Sequence, residues 1–352
     1  KIVADELEKM GYRVKRNVGK SGVVADIGEG GKMVAIRADM DALPILEMNE
    51  SEYVSQNNGA MHACGHDSHT AMALGAALLL SKEKLLGRVR FLFQPCEETV
   101  DEEGKSGAQR MSDEGAMQGV DFVIAQHVDP SKPVGTISIS AGPSSGGVDS
   151  WHAIIRGKGG HGAHPDKTID PFYLTAHVII ALNAIISRRI NPFEPAVVSI
   201  GSINGGFAEN VIPEEVKITG TLRFTDEAVH QKIYAEIKRA FEIVKALGGD
   251  YELRYDVGGP PMINDEFVSE MIESVGKDLL GAENVVEIEK TLGAEDFGEF
   301  MKHAPGAMYT LGTQKAGHED YLLHHPKFDI DERAMPIGTA MLAETAKRFL
   351  SR

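Results

Sequence analysis

Nine consecutive positions, Met61-His62-Ala63-Cys64-Gly65-His66-Asp67-Ser68-His69, carry one thiol, three imidazoles and a carboxylate just ahead of an apolar helical run over 70–80. Packing accounts for a buried cysteine and solvation for a histidine at a helix start, but neither explains the collection. Cys64 and His66 stand two apart, so in an extended segment both side chains leave one face, with Gly65 offering no obstruction between them. A thiolate beside an imidazole reads as half of a metal site. The rest of the chain must supply the other ligands.

Four other stretches do so. The apolar run 33–36 leads into Arg37-Ala38-Asp39-Met40-Asp41-Ala42-Leu43-Pro44, the run 88–93 into Gln94-Pro95-Cys96-Glu97-Glu98, and the run 122–125 into Gln126-His127. A charged cluster after one strand is usually surface, whereas three successive strands ending in ligand-type residues point to a shared site. Leu323-His324-His325-Pro326 adds a late histidine. Glu97 and Glu98, being adjacent, leave the chain in different directions, so one carboxylate can bind a metal while the other stands beside a water molecule. That is the equipment of a hydrolase: a Lewis acid that acidifies water and a general base that takes its proton. Cys96 has no partner of this kind and reads as packing.

These strands, with another over 23–27, alternate with helices over 70–80 and 107–114. The pattern predicts an α/β region with a mostly parallel sheet, whose chemistry collects at the carboxyl ends of its strands. From Gly147 the style changes. A strand over 150–156 is followed by the glycine-rich loop 157–165 and by a helix that Asp170 can cap, with Pro171 at its first position. Strands over 196–203 and 216–224, a helix over 226–247 and a strand over 251–257 complete two strand–helix–strand halves. They predict an inserted ferredoxin-like α+β domain, a four-stranded sheet with two helices on one face. After Gly258-Gly259-Pro260-Pro261 the first style returns, with helices over 265–280 and 333–349 and strands over 285–288 and 307–311. The expected division is therefore a discontinuous catalytic domain, 1–146 and 259–352, around an insert, 147–258.

At 352 residues the chain exceeds what one hydrophobic core usually holds, which agrees with two domains. Thirty-six basic against 52 acidic residues, a net charge of −16, opposes binding to nucleic acid or to an anionic membrane. No segment approaches the ~18 uninterrupted apolar residues of a membrane span. Cys64 and Cys96 are the only cysteines and form no C-x-x-C pair, so a reducing, cytoplasmic setting is expected. No signal peptide is visible at Lys1; the chain opens in a helical pattern (Val3, Leu7, Met10), so sequence ahead of Lys1 is expected.

Taken together, His62-Ala63-Cys64-Gly65-His66-Asp67, Asp39-Met40-Asp41-Ala42-Leu43-Pro44, Glu97-Glu98, Gln126-His127-Val128, Gly160-His161, Asn210-Val211-Ile212-Pro213 and Leu323-His324-His325-Pro326 resemble the M20 metallopeptidases. The likeness runs through essentially the whole chain and is strongest to the aminoacylase/hippurate hydrolase and auxin-conjugate hydrolase branch. The family's basic, His-containing opening segment is absent from this sequence.

What the resemblance implies is a two-metal hydrolase with an inserted lid domain that also dimerises. Its ligands would be Cys64, His66, Glu98, His127 and His324, with Glu97 the general base. Most of the wider family has an early His-x-Asp where this chain has Asp39-Met40-Asp41. The resemblance therefore implies that His66 takes over a ligand role, that Asp41 becomes a supporting carboxylate, and that Cys64 occupies the bridging position usually held by Asp. Zinc, manganese, nickel and cobalt all suit such a set. His161 resembles the family histidine that reaches an active site, often the partner subunit's, to stabilise the developing oxyanion. Asn210 and Arg223 match positions that hold the substrate's carbonyl and carboxylate, although a turn Asn and a solvated strand Arg are the plainer readings. His69, His164 and His325 are neighbours without an assigned role.

The implied reaction is hydrolysis of an N-acyl amino acid or short peptide by metal-activated water, in a homodimer or higher homo-oligomer. A carboxypeptidase or dipeptidase with the same machinery is the nearest alternative. A metal-binding module without catalysis would be expected to lack the base, and Glu97 is present. A structural zinc site would close with Cys and His alone, not with carboxylates.

Overall fold

The computed structural model describes residues 1–352. The chain divides into two compact units, one comprising Lys1–Ser144, Ile263–Lys290 and Asp296–Arg352, the other Ser145–Met262 with Thr291–Glu295.

The first unit begins with α1 (Ile2–Lys9), β1 (Arg13–Val18), β2 (Gly22–Gly28), β3 (Met33–Asp39), α2 (His66–Leu80), β4 (Arg88–Gln94), α3 (Gly107–Asp113), β5 (Phe122–Asp129), β6 (Ile137–Ser138) and β7 (Gly142–Ser145). The second unit contains β8 (Gly147–Arg156), β9 (Gly160–His161), α4 (Pro171–Arg189), β10 (Ala196–Gly205), β11 (Val211–Ile212), β12 (Glu215–Phe224), α5 (Glu227–Ala246) and β13 (Asp250–Val257). Next come β14 (Met262–Asn264), α6 (Glu266–Leu280), β15 (Val285–Val286), α7 (Gly298–Met301), β16 (Gly306–Gly312) and α8 (Met335–Leu350).

Eight strands of the first unit form one sheet in the order β1-β2-β4-β3-β5-β16-β6-β15. Its centre is parallel, β4 to β3 to β5 to β16, and antiparallel pairs flank it: β1 with β2, β2 with β4, and β16 with β6. Every residue of β3 is buried, as in a strand covered on both faces. Val34, Ile36 and Ala38 join Phe91, Phe93, Ile124 and Tyr309 in a core shared with Met72, Ala76 and Leu80 of α2 and Met341 and Phe349 of α8. Arg37, one residue out of phase with that set, projects to the other face. Helix α2 starts four residues earlier than the apolar pattern suggests. β1 escapes the sequence pattern because five of its six residues are partly or fully exposed.

The second unit is a four-stranded antiparallel sheet, β10-β12-β8-β13, built in the chain order strand–helix–strand–strand–helix–strand. β8 alternates strictly, burying Trp151, Ala153 and Ile155 against Leu174, Val178 and Leu182 of α4 and Ile233, Ile237 and Phe241 of α5. Both helices therefore cover one face, and the opposite one presents His152, Ile154, Lys217, Thr219, Glu252 and Arg254. Asp170 caps α4 by accepting the Phe172 N–H at 2.8 Å, ahead of the first-turn Pro171. By length and composition α4 could cross a membrane, yet its apolar stripe is part of this core.

Candidate metal centre and active site

Residues 62–65 form a turn, and His66 opens α2; the extended segment expected for Cys64 and His66 is absent. Gly65 makes the difference. Its φ of +81° lies in the left-handed region, and a Cβ there would come within 2.5 Å of Val128 Cγ2. The turn sends Cys64 and His66 inward together, and both are buried.

Two residues beyond β4 the chain likewise passes through a left-handed residue, Cys96 at φ +53°. The turn after it is held by Asp41, whose Oδ2 accepts the backbone N–H groups of Glu97 at 2.8 Å and Glu98 at 3.0 Å. His127 lies within β5 and not beyond it, because the strand continues to Asp129. His324 is, like Cys96, a left-handed non-glycine residue, φ +67°, and its N–H donates to the Ala63 carbonyl at 2.7 Å. The late loop is thereby fastened beside Cys64.

These turns bring one cluster together. Cys64 Sγ is 3.4 Å from His127 Nε2, and His324 Nε2 is 3.2 Å from Glu98 Oε1. His66 Nε2 lies 3.9 Å from Glu98 Oε1, 4.0 Å from Glu97 Oε2 and 3.7 Å from Asp39 Oδ2. Within 4.8 Å of one another, the donor atoms form overlapping groups: Cys64, His66 and His127; Cys64, Glu98 and His324; His66, Glu97 and Glu98.

The hydrogen bonds also set the imidazole tautomers. His127 Nδ1 is 2.8 Å from the Val128 carbonyl, which can only accept, so this nitrogen carries the proton and Nε2 turns a lone pair toward Cys64. His66 Nδ1 faces Asp41 in the same way, 3.1 Å from its carbonyl and 3.2 Å from Oδ1. Metal-binding histidines are oriented by such outer partners.

The cluster fits a cation. His66 Nε2 is buried without a hydrogen-bond partner, and buried Glu98 Oε1 makes no hydrogen bond although the His324 ring stands 3.2 Å away, a costly arrangement unless something else satisfies them. Burial, followed by the charges of Glu98, Glu97 and Asp39, pushes the Cys64 thiol far above its ordinary pKa, so a thiolate needs a positive neighbour. Burial would lower the pKa of His66, but the Asp39 and Asp41 carboxylates outweigh it and push it up to about 9. A divalent ion takes the place of those protons.

The family model for Peptidase family M20/M25/M40 matches residues 35–348. The chain belongs to that family. Among curated relatives, the thermostable carboxypeptidase 1 of Saccharolobus solfataricus is 40% identical, over 99% of this chain and 89% of its own length. The N-acetyl-L-cysteine deacetylase of Bacillus subtilis is 38% identical, covering 98% and 81%. The IAA-amino acid hydrolase ILR1-like 4 of Arabidopsis thaliana is also 38% identical, covering 99% and 80%. In three dimensions the chain is similar to a dinuclear metal-binding M20 peptidase of Bacillus subtilis, with a TM-score of 0.85 and 32% identity over 99% of this chain and 91% of that one.

In this M20 chain a second layer lies behind the cluster, and sequence reasoning did not find it. Asp39 accepts a hydrogen bond from His69 Nδ1 at 2.6 Å and pairs with Arg37 at 2.6 Å. Arg37 also donates to Gln94 Oε1 at 2.7 Å and to Asp296 Oδ1 at 3.1 Å, and Gln94 donates to both Asp296 oxygens at 2.7 Å. The Ala108 N–H of α3 completes the network at 3.0 Å from Asp296 Oδ2. Burial raises the Asp39 pKa, but Arg37, His69 and His66 outweigh it and hold the carboxyl well below the usual range. Burial lowers that of His69 to about 4. One signal for His69 was available: it stands three residues after His66, on the same side of a helix.

The remaining candidates belong to the second unit. His161 is exposed on the two-residue β9, where its Nδ1 accepts the Ala163 N–H at 3.0 Å. Asn210 is its neighbour, because β9 pairs with β11 and the Asn210 carbonyl accepts the Gly162 N–H at 2.8 Å. Arg223 is half-buried near the far end of β12, on the face without helices. At about 3.3 Å rise per residue, β12 places it roughly 25 Å from the end that follows β11, the partner of the His161 strand. The structure thus groups His161 with Asn210 and sets Arg223 apart.

Proposed function

We propose that this chain is a metal-dependent amidohydrolase that cleaves the amide bond of N-acyl amino acids. The observation that carries the reading is the convergence of Cys64, His66, Glu98, His127 and His324, with Glu97 beside them. Those five residues would hold two divalent ions, zinc, manganese, nickel or cobalt, and the deacetylase and IAA-amino acid hydrolase relatives supply the substrate class. When bound, the metal supplies Lewis acidity to water and to the scissile carbonyl.

The chain's own residues do the rest. Glu97 takes a proton from the attacking water, whose oxygen bonds to the carbonyl carbon; as the C–N bond breaks, Glu97 delivers that proton to the departing amine. Asp41 acts indirectly, by fixing the Glu97–Glu98 turn and the His66 ring. His161, with Asn210, donates to the developing oxyanion in a closed, dimeric enzyme, and Arg223, roughly 25 Å along β12 from them, receives the substrate carboxylate from the other subunit. The 147–258 insert acts as the lid and dimerisation domain, and the enzyme works in the cytoplasm.

The relative named as a carboxypeptidase supports a second reading, removal of a C-terminal residue from a peptide by the same groups. Turnover of N-acetyl and N-benzoyl amino acids against dipeptides and longer peptides, with each metal added to stripped protein, separates the two. Metal uptake without turnover of any of these substrates would leave a binding module.

A further inference from the structure

We infer that His69 is a positioning residue for the metal centre, acting through the backbone of β5, with Asp39 as its anchor. This rests on the metal reading proposed above. The evidence is geometric. Val128 donates its backbone N–H to His69 Nε2 at 2.9 Å, so that nitrogen is unprotonated and the ring's proton is on Nδ1, where it faces Asp39 at 2.6 Å. Both side chains are buried.

An imidazole held at both nitrogens has one orientation and one tautomer. It is therefore a rigid acceptor for a single amide, and that amide belongs to the residue after His127. The Val128 carbonyl is in turn the acceptor that fixes His127 Nδ1. His69 thus clamps the N–H side of the residue whose C=O side orients His127. The His69 and His127 rings also meet edge to face, their centroids 4.7 Å apart.

Asp39 is kept from wandering into the cluster. Its Oδ1 is taken by His69 and its Oδ2 by Arg37, so although Asp39 lies 3.7 Å from His66 Nε2, it serves as an anchor and not as a ligand.

Two substitutions divide the roles of the ring. His69→Asn keeps a donor toward Asp39 but is too short to reach Val128; His69→Gln reaches Val128 with its carbonyl and gives up the donor. Cobalt affinity, measured by competition with a chelator, should fall about 10- to 100-fold in His69→Asn, the usual loss when an outer partner of a ligand is removed, and clearly less, about three- to tenfold, in His69→Gln, which loses only the Asp39 anchor. Hydrogen exchange at the Val128 amide of the metal-free protein should accelerate at least tenfold in His69→Asn alone. Unchanged affinity and exchange in His69→Asn would overturn the inference, and so would equal losses in the two variants, which would mean packing. If His69→Asn fails to fold, replacing the Val128 amide by an ester removes the donor alone and should weaken cobalt to the same degree; wild-type affinity there would refute the clamp. Wild-type protein that takes up no cobalt would defeat the proposed function instead, and Val128 exchange would still decide whether His69 is the clamp.

Discussion

Set side by side, the candidate residues of the two units are held in opposite ways. In the first unit Cys64, His66, Asp39 and His69 are buried, and His66 Nδ1 and both nitrogens of His69 are fixed by backbone groups or a buried carboxylate. In the second, His161 and Asn210 sit exposed at a two-stranded ribbon of two-residue strands, with glycines at 157, 159, 160 and 162 in and around it. A cation must be met by ligands already in place, because the cost of assembling them would be subtracted from its affinity. A donor needed only while charge develops on the substrate can remain mobile until the site closes. The first arrangement should therefore govern metal affinity, and the second the rate.

The strongest way to break that contrast is Glu97→Gln. It should lower kcat by about 10³- to 10⁴-fold with metal content unchanged by elemental analysis, since it removes a base and not a ligand. Loss of metal along with activity would move Glu97 into the ligand set. His161→Ala should reduce kcat by about 10²- to 10³-fold, with KM and metal content little altered. Mixed dimers of the His161→Ala and Glu97→Gln chains sharpen this further. If His161 serves the partner's site, some activity returns; none returning in demonstrably mixed dimers confines the histidine to its own subunit.

The next two effects are smaller and belong to the rigid side. Asp41→Asn retains the bulk but weakens the acceptor of the Glu97 and Glu98 amides, so metal affinity in a chelator titration should drop about 10-fold or more. A drop in kcat alone would show that Asp41 tunes the base. Gly65→Ala forces a side chain into a left-handed position and against Val128; unfolding in urea should show a loss of about 1–3 kcal/mol. An unchanged midpoint would mean that the 62–65 turn relaxes freely.

Much of this was legible from residue types. The βαββαβ order of the insert follows from strict alternation in β8 and β12 and from the amphipathic α5, because period-2 and period-3.6 patterns are hard to confuse over ten or more residues. The ligand-type side chains announced themselves by density. What the sequence could not express is pairing between distant positions: Asp39 with His69, or Arg37 with Gln94, follows no period and depends on β3 lying against α2 and beside β4. Local backbone was the other gap. Cys64 and His66 converge through a left-handed glycine and a helix start, so the same meeting arises by a different route from the one alternation suggests. Short β6 and β7 carry too few residues for any pattern.

The place of β16 between β5 and β6 has a consequence for how the protein is made. A ribosome delivers β1 through β6 first, yet the parallel centre of their sheet lacks a strand until residues 306–312 emerge. The insert is nearly continuous in sequence, and its core residues have all been synthesised well before that. During synthesis the four-stranded unit can thus be complete while the larger one waits, with an open edge along β5, and Cys64, His66 and His127 exist for most of translation without His324. The full set of candidate ligands is then complete only late in the life of the nascent chain.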